Sequence, residues 1–70
     1  MHHVKIGKLL IVNDCGVICI YSRHGSDISS YYFYGNGITH HEVYRHDDEL
    51  ECFGNWLGLL ESFELQEGIA

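Results

Sequence analysis

Between Ser29 and Tyr44 the chain runs Ser-Ser-Tyr-Tyr-Phe-Tyr, turns at Gly35-Asn36-Gly37 and returns as Ile-Thr-His-His-Glu-Val-Tyr. Two aromatic and β-branched runs joined by a glycine-asparagine turn read as a β-hairpin. Successive strand residues face opposite ways, so Tyr31 and Phe33 part from Tyr32 and Tyr34, and His41 and Val43 part from His40, Glu42 and Tyr44. Only one of these faces can form the core of a chain of 70 residues, which is near the lower limit for a solitary hydrophobic core.

Segments of the same character recur on the N-terminal side. Strands are expected over about 3–12, 17–23, 28–34 and 38–45, separated by Asn13-Asp14-Cys15-Gly16, His24-Gly25-Ser26-Asp27 and Gly35-Asn36-Gly37. Short connections predict an antiparallel meander in the order 1-2-3-4. After Asp47 the period changes: Leu50, Phe53, Trp56, Leu57, Leu60 and Phe63 recur at helical spacing. Asp48 followed by Glu51 forms a capping box, predicting a helix over about 48–66 with Gly68 as its C-cap. Gly54 and Gly58 weaken that helix and are expected to pack closely on the sheet. The fold class is therefore α+β, one domain spanning residues 1–70, with a four-stranded sheet and a C-terminal amphipathic helix on one face.

Pairing Val12 with Val17, Arg23 with Ile28 and Tyr34 with Ile38 sorts the sheet into two faces. One collects Leu9, Ile11, Ile18, Ile20, Tyr31, Phe33, His41 and Val43, and being the more apolar it is expected to lie under the helix. The other collects Val4, Ile6, Lys8, Leu10, Val12, Val17, Cys19, Tyr21, Ser30, Tyr32, Tyr34, Ile38, His40, Glu42 and Tyr44, and is expected to face water. A one-residue slip in any hairpin would exchange these assignments for a whole strand.

Charge is unevenly spread. Lys5, Lys8, Arg23 and Arg45 are the only four basic residues, whereas seven of the ten acids lie beyond position 46, in a chain of net charge −6. An anionic C-terminal third repels nucleic acid and anionic membrane, and it favours a basic protein surface as partner. The N-terminal apolar stretch is too short and polar for a signal sequence or membrane span, which with the thiols predicts a cytoplasmic protein. Cys15, Cys19 and Cys52 are odd in number and lack metal-ligand spacing, so neither disulfides nor a cysteine metal site is expected. Adjacent His40 and His41 point to opposite faces, and His46 lies about 20 Å along an extended strand from His40, so no shared metal is expected. No nucleophile-and-base motif or phosphate loop is present, and neither catalysis nor a cofactor is expected.

Tyrosine is favoured at protein interfaces for its large rigid area and its hydroxyl. Tyr21, Tyr32, Tyr34, His40 and Tyr44 are thus the expected partner-binding residues, with Glu51 and Glu61 steering a basic partner. In size, charge and strand-then-helix order the chain is similar to small acidic inhibitors such as phage anti-CRISPR proteins and immunity proteins. That resemblance implies a stoichiometric inhibitor or decoy, and it carries over no residue. The alternatives are a structural homodimer packed through the tyrosine-rich face, and a metal-stabilised module that unfolds on chelation.

Overall fold

A computed structural model describes residues 2–37 and 39–68. It is an α+β arrangement of five antiparallel strands and a helix: β1 His2–Ile6, β2 Leu9–Asp14, β3 Val17–His24, β4 Asp27–Phe33, β5 Thr39–Arg45 and α1 Glu49–Ser62. The sheet order is β1-β2-β3-β4-β5. The expected four strands become five because the first divides at Gly7-Lys8, with Ile6 paired to Leu9 across a two-residue loop. Gly7 there adopts φ +57°, the positive value that the first central position of a tight hairpin demands and that glycine alone reaches cheaply. The Cys15-Gly16 loop places both residues at positive φ, as a type I′ turn requires.

The later registers follow the sequence reading. Arg23 pairs with Ile28, and Phe33 pairs with Thr39, one step inside the expected Tyr34–Ile38 match. Ile38 itself lies outside the described residues. Val12 pairs with Cys19 rather than Val17, a shift of two residues that leaves every side chain on its expected face. The break at Gly7-Lys8 does change one strand: Val4 and Ile6 now pair with Ile11 and Leu9 and join their face.

The helix lies on the other face from the one expected. Leu10, Val12, Cys19 and Ile28 from the sheet form the core with Cys52, Trp56 and Leu60 from α1, flanked by Tyr21, Tyr32, Phe53, Leu59, Phe63 and Leu65. The residue sizes explain this. Cys19 and Ser30 are small and buried at the middle of this face, which leaves room for the indole of Trp56, itself fully buried. The opposite face places Ile18, Ile20, Tyr31 and Phe33 at the corresponding level of the same strands, and its small pair, Ser22 with Ser29, lies nearer the β3–β4 turn. Tyr21 and Tyr32 are half-buried and pack against this core, their side chains in hydrogen-bonding contact with Cys19.

Local contacts hold α1 in place. Glu51 N donates to Asp48 Oδ1 at 2.7 Å, the first bond of the expected capping box, while the Glu51 side chain reaches one residue further back, Asp47 N donating to Glu51 Oε2 at 2.7 Å. The helix ends at Ser62, not near residue 66. Glu64, at φ +58°, makes the left-handed turn expected of Gly68, with Glu64 N donating to Glu61 O and Leu65 N to Leu60 O as in a Schellman motif. The tail then folds back: Trp56 Nε1 donates to Glu67 Oε2 at 2.8 Å, and Lys5 Nζ lies 3.5 Å from Glu67 Oε1. Arg23 stacks over Phe53 and Trp56, 5.0 and 5.8 Å from their ring centres. Gly54 and Gly58 face away from the sheet, with nothing within 4 Å of where a Cβ would stand, so close packing does not account for them.

Candidate functional site

Helix α1 crosses the sheet obliquely. Its first residue, Glu49, stands beside Gly25 in the β3–β4 turn, and the Phe63 ring at its end lies 5.6 Å from that of His3 in β1. The corner left uncovered on the helix side belongs to β4 and β5. There His40, Glu42 and Tyr44, alternate residues of one strand, project together. His40 Nε2 bonds Glu42 Oε1 at 2.8 Å, and the Tyr44 hydroxyl donates to Glu42 Oε2. The Tyr32 ring sits beside His40, 5.8 Å between centres.

These bonds set the protonation of the corner. The Tyr44 hydroxyl and then His40 hold the Glu42 carboxyl below its ordinary range, and the Glu42 acceptor in turn raises Tyr44. At neutral pH Glu42 is a carboxylate with each oxygen bonded, one by His40 and one by Tyr44. Between this corner and the helix runs a groove of about 300 Å³ lined by Tyr21, Ile28, Tyr32, Tyr44, His46, Asn55 and Leu59. His46 is fixed there by Nδ1 against Ser26 O at 3.1 Å, while its backbone N–H donates to the same oxygen at 2.9 Å.

Of the seven expected binding residues, Tyr21, Tyr32 and Tyr44 line this groove and His40 adjoins it. Glu51 borders it through Asn55, whose Nδ2 donates to Glu51 O at 2.9 Å. Tyr34 is exposed where the chain leaves β4, its carbonyl accepting from Gly37 N at 3.0 Å. Glu61 is exposed on the outward side of α1, one turn beyond Leu57, apart from the groove. Because the helix lies on the tyrosine side, the tyrosines and the acidic helix share one side of the molecule. Placed on opposite sides, they could not have formed one surface.

The face of Leu9, Ile11, Ile18, Ile20, Tyr31, Phe33, His41 and Val43, expected to lie under the helix, is instead the second surface. The face opposite the helix is open, and its rows run Val4-Ile11-Ile20-Tyr31-His41 and Ile6-Leu9-Ser22-Ser29-Val43, with Ile18 and Phe33 in a third. Val4 is 48% and Ile6 59% exposed; Leu9, Ile18, Tyr31, Phe33 and Val43 are also exposed. Tyr31 and His41 stack, ring centres 4.1 Å apart and nearly parallel. Among the described residues, the sheet positions facing this side carry a single acid–base pair, Asp27 with Arg45, 3.9 Å apart at one end. The signal that would have revealed the true extent of this surface was Gly7-Lys8, a Gly-X dipeptide between two apolar runs.

The chemistry elsewhere is quiet. Cys15, Cys19 and Cys52 are free thiols. Burial raises those of Cys19 and Cys52, and the Asp14 side chain raises that of exposed Cys15, so none is an activated nucleophile. Burial also lifts the Tyr21 hydroxyl far above its usual range. Among the described residues no three His, Cys, Asp or Glu side chains gather as a metal-ligand set, and no helix is long and apolar enough to cross a membrane. Comparison with protein families, with characterised proteins and with solved structures gives no match for this chain.

Proposed function

We propose that this chain is a small acidic protein-binding module that engages a basic protein surface through its helix side, as a stoichiometric inhibitor or decoy rather than an enzyme. The observation that carries this reading is the meeting of two surfaces on one side: the groove of Tyr21, Tyr32 and Tyr44 lies against the helix that bears Glu49 and Glu51. Aromatic area at the centre with charge at the rim is the anatomy of a protein interface. The rim acids accelerate encounter with a cationic partner, and the exposed tyrosines supply the contact area that holds it. The free thiols suit a reducing compartment such as the cytoplasm.

The test is affinity capture from the native host, with wild-type chain compared with a Tyr34→Ala, Tyr44→Ala double variant whose fold is checked by circular dichroism. The reading predicts a single basic protein captured at one-to-one stoichiometry, weakened by salt and lost with the double variant. Capture that is indifferent to both changes contradicts it.

A further inference from the structure

We infer that the open sheet face is the contact for a second copy of this chain, giving a two-fold dimer with the layers helix, sheet, sheet, helix. A solitary chain gains most by covering apolar surface, yet here the helix covers one face and leaves Val4, Ile6, Leu9, Ile18, Tyr31, Phe33 and Val43 exposed on the other. The shape of the molecule agrees. It is a slab of 37 × 23 × 18 Å with a radius of gyration of 12.4 Å, against about 11 Å for a compact chain of this length. Its accessible surface of 4943 Å² exceeds by about 500 Å² the value general for a monomer of 8.0 kDa.

The open face is the right size. Five strands about 4.8 Å apart, with some six residues in each at about 3.3 Å per residue, give a face of roughly 24 by 20 Å. With side-chain relief it buries on the order of 600 Å² per copy, or roughly 1,200 Å² in all, the lower end of stable specific interfaces. It also suits a copy of itself better than a partner of opposite charge. The chain carries a net charge of −6, yet among the described residues the Asp, Glu, Lys and Arg positions of the open face are only the mutually paired Asp27 and Arg45, beside His2, His24 and His41, and the acids of α1 lie on the far side of the sheet. Two such faces meet with less repulsion than two acidic helix sides would.

The two-fold axis falls near Ile20, which lies on the middle strand of the five and in the middle row of the face. Stacked about 10 Å apart with strands nearly aligned, the sheets place the two Ile20 side chains opposite each other. The tyrosine groove stays exposed on each copy, so the dimer and the partner-binding reading can fail separately.

Sedimentation equilibrium from micromolar to sub-millimolar concentration tests this, with wild type, Ile20→Glu, Ile20→Lys and an equal mixture of the two variants. Wild type should weigh twice its 8.0 kDa. Either variant alone, folded by circular dichroism, should associate at least about 100-fold more weakly, since like charges then face each other across the axis. The mixture should recover the doubled mass. A wild-type chain of single mass throughout overturns the dimer and leaves the face to a different protein. Variants that still dimerise, or a mixture that stays monomeric, overturn the placement of the contact.

Discussion

The two faces of this sheet are built from the same strands and differ in what covers them. The helix side is mixed in polarity, interrupted by Cys19 and Ser30, and fully packed at Trp56, Leu60 and Cys52. The open side is richer in isoleucine and valine and is not covered by the helix. Hydrophobicity alone would have reversed them. Shape accompanies the choice: the Trp56 indole lies over a part of the sheet where Cys19 and Ser30 are small, and the face left open carries a cluster of aliphatic and aromatic side chains among polar ones.

That contrast predicts mutational effects of very different size. Trp56→Ala should cost about 3–5 kcal/mol, enough to unfold most of the population of a domain this small. Ile20→Ala, equally aliphatic in character but on the open side, should change the stability of the isolated chain by about 0.5 kcal/mol. Chemical denaturation at dilutions where the chain is single measures both. Equal costs at the two sites would erase the distinction between the faces.

A smaller effect of opposite sign is expected on the outward side of α1. Gly54→Ala and Gly58→Ala meet open space and should each raise stability by up to about 1 kcal/mol through helix propensity. Loss of stability in the isolated chain would mean that these glycines pack against something after all. The smallest effect concerns the uncovered corner. Because Tyr44 and His40 hold the Glu42 carboxyl below its ordinary value of 4.5, the folded chain takes up that proton less readily than the unfolded one. The stability this supplies is complete above about pH 4.5 and is lost as the pH falls through the lower, folded value. Tyr44→Phe removes the larger cause, so the urea midpoint should fall less steeply with acid than in wild type. Identical slopes would show that the bond is not formed in solution.

Much of the architecture was legible. The parity of β2 to β5, the Asp48 cap and the Cys52, Trp56 and Leu60 part of the apolar stripe follow from turn chemistry and periodicity, which act over a few residues, whereas Leu50 and Leu57 of that stripe are exposed. The failures arose where the outcome depends on distant parts of the chain. Gly7-Lys8 lies between Ile6 and Leu9 with no Asn or Asp to mark it, so two strands read as one and Val4 and Ile6 fell on the wrong face. The docking of α1 depended on the hollow at Cys19 and Ser30, which exists only once β3 and β4 are paired. The tyrosines of the candidate site were identifiable by type and parity. Their nearness to Glu51 was not, because it follows from that docking.

The central claim is that α1 covers the tyrosine side and leaves the isoleucine side free. Nuclear Overhauser contacts from the indole protons of Trp56 test it most directly. The account predicts contacts from Trp56 to Leu10 and Tyr21, and none to Ile11, Ile20 or Tyr31. Contacts from Trp56 to Ile20 and Tyr31 would place the helix on the opposite face and contradict it.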